Sequence, residues 1–133
     1  MRERSWEWYV CAVAIAIIFA LVAVLLLSEP TKADSTPTVD YAKGYARRTL
    51  GATQYRCLDH IAIRESHWNP LAHNRTSGAH GIGQALPWTK MRRFGPDAWH
   101  NPVTQVKWMT AYVHARYGSA CNAWAFWQQH GWY

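Results

Sequence analysis

Acidic side chains are scarce where this chain is most basic. Between Leu50 and Tyr133 there are three, Asp59, Glu65 and Asp97, against eight lysines and arginines. Glu65 lies in the stretch RESHWNP, residues 64–70. A carboxyl group in such a setting has two uses. It pairs with an arginine, for which Arg64 and Arg116 are the candidates, or it transfers protons. Proton transfer near neutral pH needs a carboxyl whose pKa has been lifted, and apolar surroundings lift it by disfavouring the charged form.

Spacing puts Glu65 on an apolar face. The segment TQYRCLDHIAIRES, 53–66, repeats Tyr55, Leu58, Ile61 and Ala62 at helical intervals. Leu58, Ile61 and Ala62 precede Glu65 by seven, four and three residues, so all three share its side of a helix. Asp59 falls well round from it. Glu65 thus prolongs the apolar stripe, which predicts a partly desolvated carboxyl suited to general acid work. The arginine-paired alternative stays open at this level.

Two further helical segments stand beside this one. TVDYAKGYARRTLG, 38–51, reads as a short helix with Asp40 as a cap and Gly51 past its end. NPVTQVKWMTAYVHARYG, 101–118, has Asn101 to cap it, Pro102 at its first position and Gly118 to stop it. Val106, Met109, Tyr112 and Val113 line one of its faces. Between these helices, NPLAHNRTSGAHGIGQALP, 69–87, is loop-rich, and loops on a helical scaffold often line a site. It is not a dinucleotide fingerprint, since no strand precedes it. No stretch alternates well enough for a strand, so the expected fold class is all-α or nearly so.

The N-terminal third is organised differently. Residues 1–7 carry Arg2 and Arg4, and residues 8–27 contain no charge. Twenty apolar residues at about 1.5 Å each match the ~30 Å hydrocarbon core of a bilayer. The expectation is a single-pass anchor with residues 1–7 in the cytoplasm and everything after Ser28 exported. A cleaved signal peptide, giving a secreted domain, is the alternative. Residues 28–40, SEPTKADSTPTVD, read as a linker, leaving 41–133 as the domain. Beyond Asp34 there are eleven basic residues and four acids, a formal +7. Outside a membrane, such charge points to wall polymers or lipid headgroups rather than nucleic acid. Cys11 lies in the apolar run. Cys57 and Cys121 are exported, which favours one disulfide between them over a zinc site.

ESHWNP, 65–70, followed by SGAHGIGQALP, 77–87, resembles the signature of the soluble lytic transglycosylase (SLT-like) group of the lysozyme-like superfamily. The matching residues are Glu65, Ser66, Trp68, Asn69, Pro70, Gly78, Ala79, Gly81 and Gln84. With the helix after them and the ending CNAWAFWQQHGWY, 121–133, the resemblance spans about residues 53–133 and is to the small exported type of actinobacteria and their phages. It implies a lysozyme-like helical domain acting on peptidoglycan glycan strands. Glu65 would be the catalytic acid and base, Ser66 would orient substrate or the Glu carboxyl, and Gln84 would bond near the reacting sugar. Many relatives carry Ala-Tyr-Asn after the long helix, with the Tyr near the Glu. Here NAWA puts Trp124 in that place, and Trp has a single N–H donor and no hydroxyl. The phenol contact would then be lost, or come from Tyr112 or Tyr117.

Chemistry by elimination agrees. Ordinary glycosidases use two carboxylates. Asp59 is turned away and Asp97 lies in a distant turn, FGPDAWH. A single Glu65 would then have to act twice, and the resemblance implies how: cleavage of the MurNAc–GlcNAc β-1,4 bond with the muramyl 6-hydroxyl as nucleophile, giving a 1,6-anhydro end without metal or cofactor. Aromatic side chains suit sugar faces, with Trp68 and Trp127 the expected cleft residues among many that are core. The alternatives are a lysozyme-type hydrolase using water and Asp97, and a non-catalytic wall-binding module. The anchor would suit a partnership with an envelope-spanning secretion, conjugation or phage assembly.

Overall fold

The computed structural model describes residues 36–133 and, nearer the N-terminus, residues 10 and 12–18. The chain divides into two units, Met1–Ser35 and Thr36–Tyr133. In the first, residues 12–18 are helical, and the side chains of Val13, Ile15, Ile17 and Ile18 are about half exposed. No helix among the described residues is long and apolar enough to cross a membrane. The expected anchor, 8–27, extends outside the described residues, as do 1–7 and the first part of the linker.

Among the described residues the second unit has no strand. Its elements are α1 (Val39–Ser66), a 3-10 helix (Trp88–Phe94), α2 (Pro102–Tyr117) and α3 (Ala120–His130). The two helices expected before residue 67 are one element kinked at Gly51, whose φ of 77° and ψ of 162° are non-helical. A residue without a Cβ takes that conformation at little cost. The cap of α1 is Thr38, whose side chain accepts from the Tyr41 amide, and not Asp40, which sits in the first turn. There its charge faces the positive end of the helix dipole. For α2 the capping pattern holds. Asn101 Oδ1 accepts from the Val103 and Thr104 amides, and Gly118 closes the helix in the left-handed conformation. The sequence reading did not delimit α3, because its aromatic-rich residues have modest helix propensity. Ser119 caps it by accepting from the Asn122 amide.

The core is where the three helices meet. Leu58, Ile61 and Ala62 of α1 pack with Val106, Met109 and Val113 of α2 and with Ala120 and Ala123 of α3, all buried. Ile82, from the Gly-rich loop, is buried among them. The Cys57–Cys121 disulfide ties α1 to α3 with an S–S distance of 2.07 Å. Beside it the Cys121 amide donates to Gln54 Oε1 at 3.0 Å.

The loop from His67 to Pro87 satisfies many backbone groups within itself, as in the paired bonds between His80 and Ala85 and the bonds from Asn74 N to Ala79 O and from Gly81 N to Ala72 O. Gln105, fully buried on α2, takes up others. Its Oε1 accepts from the Ile82 amide at 2.9 Å, and its Nε2 donates to the carbonyls of Pro70, Ala98 and Trp99. Gly81 passes directly over this amide. A Cβ there would lie 2.6 Å from Gln105 Oε1, and the φ of 79° already disfavours any other residue.

Candidate active site

Glu65 ends α1 at the wall of a cleft of about 410 Å3. The cleft is lined by the Gly-rich loop through Asn74, Ala79, Gly83, Gln84 and Leu86, by Lys90 of the 3-10 helix, by Trp108 and Tyr112 of α2, and by Trp132 and Tyr133. Among the described residues Glu65 is the only acid lining it. The carboxyl is half-buried, and burial pushes its pKa up; a weaker opposing effect comes from Trp127, whose indole Nε1 donates to Glu65 Oε1 at 2.8 Å. A donor of this kind stabilises the charged form, so two opposed influences act on one carboxyl.

Neither arginine considered as a partner takes that role. Arg64 lies over the Trp127 ring, 5.7 Å from its centroid. Arg116 donates to the Tyr117 hydroxyl at 3.1 Å and lies 5.8 Å from the Trp132 ring. The polar partner of Glu65 is a neutral indole.

The other acids are engaged elsewhere. Asp59 Oδ1 accepts from the Trp68 indole at 2.8 Å. Asp97 accepts from Asn101 Nδ2 at 2.6 Å and from Thr104 Oγ1 at 2.8 Å, bracing the start of α2. The Asn101 bond is the main reason its carboxyl titrates below the usual range.

Of the site residues expected from the sequence, the structure brings Glu65, Gln84 and Tyr112 to the cleft, with Trp127 bonded to Glu65 from behind. Ser66 is not a lining residue. Its hydroxyl donates to the Ile82 carbonyl at 2.8 Å, which pins the Gly-rich loop to the end of α1. Trp68 is also away from the cleft and 4% exposed. Positive φ at His67 and Trp68 turns the chain back, so the indole tucks in where Asp59 meets its N–H and Lys43 lies 5.3 Å from its ring. Trp124 stands one helical turn from the expected contact. It stacks on His60 at 5.0 Å and on Trp127 at 5.4 Å, and Trp127 is the residue that reaches Glu65. The hydroxyl of Tyr117 accepts from Arg116, and Tyr112 stacks on Trp108 at 5.2 Å.

Gln84 holds a φ of 47° and its Nε2 donates to the carbonyls of Gly81 and Ala72. That leaves the carboxamide oxygen as the end able to accept from a ligand. Tyr133 was missed by the sequence reading. Its hydroxyl donates to the Gly83 carbonyl at 2.8 Å, and burial, reinforced by the nearby Glu65 charge, holds the phenol protonated. A Cβ on Gly83 would come within 2.6 Å of that hydroxyl, which explains the glycine. The only sequence signal for this contact is the aromatic pair after Gly131. Among the described residues no group of three or more His, Cys, Asp or Glu side chains is gathered to hold a metal ion.

Residues 47–128 match the family model described as transglycosylase SLT domain. The match includes Glu65, the Gly-rich loop and Trp127. No curated protein and no solved structure matches the chain.

Proposed function

The chain belongs to the transglycosylase SLT domain family, whose members are peptidoglycan lytic transglycosylases of the lysozyme-like superfamily, and from that premise we propose that Glu65 is its single acid and base. The observation that carries this reading is that, among the described residues, Glu65 is the only acid lining the cleft, while Asp59 and Asp97 are held in hydrogen bonds elsewhere. A mechanism with two carboxylates has no second member among the described residues of the cleft.

The steps follow from one carboxyl in an apolar wall. The protonated Glu65 gives its proton to the glycosidic oxygen as the bond from muramyl C1 breaks. The Trp127 N–H then holds the resulting carboxylate in place. Glu65 takes the proton of the muramyl 6-hydroxyl as that oxygen bonds to C1, which closes the 1,6-anhydro ring and returns the carboxyl to its starting state. No water enters the balance. Gln84 offers its carboxamide oxygen to a sugar N–H or hydroxyl. Trp108, Tyr112 and Trp132 supply aromatic surface of the kind on which sugar C–H faces stack.

The test is mass spectrometry of the fragments released from purified peptidoglycan. Anhydro-muramyl ends support the proposal. Reducing ends, one water heavier, refute it in favour of a hydrolase, and binding without release refutes it in favour of a non-catalytic module.

The placement we propose for this activity is the outer face of a cell membrane, with residues 8–27 as the anchor. The support is their uncharged apolar composition. An anchor would confine cutting to one patch of wall, as an envelope-spanning assembly requires. Fractionation with sequencing of the mature N-terminus tests it; a soluble product beginning after Ser28 would count against it.

A further inference from the structure

A second pocket, about 540 Å3, adjoins the cleft that contains Glu65. Lys90, Trp108 and Tyr112 line both. From them the second pocket runs along Ala111 and Ala115 of α2 to Thr89 and Arg93 of the 3-10 helix. Its polar character is cationic. Lys90 and Arg93 line it, and among the described residues no acid does. The three acids between Leu50 and Tyr133 make their hydrogen bonds elsewhere, Asp59 to Trp68, Glu65 to Trp127, and Asp97 to Asn101 and Thr104. The pair sits three residues apart on a 3-10 turn, where such residues fall on one side. Ala111 and Ala115 keep the facing wall low and open.

We infer that this pocket is a subsite for a carboxylate of the peptide carried by the glycan strand, held by Lys90 and Arg93 while the sugars lie against Glu65. The inference rests on the peptidoglycan reading above and names what that substrate must carry. The bare disaccharide repeat is neutral once its lactyl group is amide-linked to a peptide, so the anion available beside the scissile bond is on that peptide. A phosphodiester on the reacting muramyl 6-oxygen is excluded, because that oxygen must be a free hydroxyl to act as nucleophile. Continuity of the two pockets through Trp108 and Tyr112 lets one strand occupy both.

Binding separates this inference from the catalytic one. The full chain carrying Glu65→Gln is titrated, by its tryptophan fluorescence, with three soluble glycan fragments: one with intact peptides, one with the peptide carboxyls amidated, and one stripped of peptide by an amidase with its freed lactyl carboxyls then capped as methylamides. The first should bind about three- to tenfold more tightly than the other two, the range expected for one or two exposed charge pairs. The preference should weaken with salt. Adding Arg93→Gln or Lys90→Gln should remove it while leaving the stripped fragment's affinity unchanged for Arg93→Gln. Equal affinity for all three fragments would overturn the subsite. So would a preference that survives both substitutions. A parent chain, with Glu65 intact, that fails to cleave while the preference is seen would sink the catalytic proposal and leave the subsite standing.

Discussion

The Nε1–H of Trp127 reaches Oε1 of Glu65 across 2.8 Å, joining residues 62 apart in sequence and bringing the middle of α3 onto the end of α1. The bond favours the carboxylate, and burial, the larger influence, favours the acid. The proposed role, releasing and then recovering a proton, is well served by that balance. Each partner can be removed separately.

Glu65→Gln keeps the shape and an oxygen to accept from Trp127 but removes the transferable proton. Release of fragments should fall by about 100-fold or more. Stability should move the other way. The folded pKa of Glu65 is raised, so its favourable contribution is complete below the unfolded pKa and is lost as pH rises through the folded one. The variant should therefore gain stability relative to the parent as pH rises toward neutral, a gain that disappears in acid. Melting curves of both proteins in acid and at neutral pH check this; the absence of that gain would contradict it.

Trp127→Phe removes the donor and keeps an aromatic ring. Without the N–H, burial acts unopposed and the Glu65 pKa climbs further. A general acid works only while protonated, so the alkaline limb of the pH–rate profile should shift to higher pH. The maximal rate should fall as well, because the carboxyl loses its anchor. A profile lowered at every pH without displacement would mean that Trp127 only packs.

Opening the Cys57–Cys121 disulfide frees a 64-residue separation. Loop-closure entropy for such a span is worth about 4 kcal/mol, a large fraction of what a small domain has. The paired Cys57→Ser and Cys121→Ser variant should lose most of that in a denaturant titration. Because the bridge ties α1 to α3, the environment of Trp127 should also change, seen as altered tryptophan emission before global unfolding. A loss below about 1 kcal/mol would show that packing alone docks α3.

Asp97→Asn bears on the rival hydrolase. Asp97 holds Asn101 and Thr104 at the start of α2. Its lowered pKa gives stability that is present above the unfolded value and lost as pH falls through the folded one. The variant should cost about 1 kcal/mol, or roughly 4–8 °C in a domain of this size, at neutral pH. Activity per folded molecule should remain. Loss of activity comparable to that of Glu65→Gln, with the fold intact, would bring Asp97 back as a second carboxylate.

Local periodicity was enough to mark Glu65 as unusual. Leu58, Ile61 and Ala62 lie within two turns of it, and such neighbours follow from helix geometry without tertiary information. The caps of α2, Asn101, Pro102 and Gly118, were legible for the same reason, since a helix end is satisfied by residues next to it in the chain. So was the disulfide, there being two cysteines in the domain to pair. What needed the tertiary structure was every contact between elements. Trp124 and Trp127 are three residues apart and share a face of α3, so no sequence pattern decides which one meets Glu65. The docking height of α3 against α1 decides it, and that height is set by Cys57–Cys121 and the bond from the Cys121 amide to Gln54. Ser66 and Trp68 sit in the motif beside Glu65 yet turn from the cleft, because the left-handed turn at His67 and Trp68 redirects the chain. Tyr133 and Gln105 were invisible beforehand: each satisfies a backbone group of a loop brought to it only by folding, Gly83 in one case and Ile82 in the other.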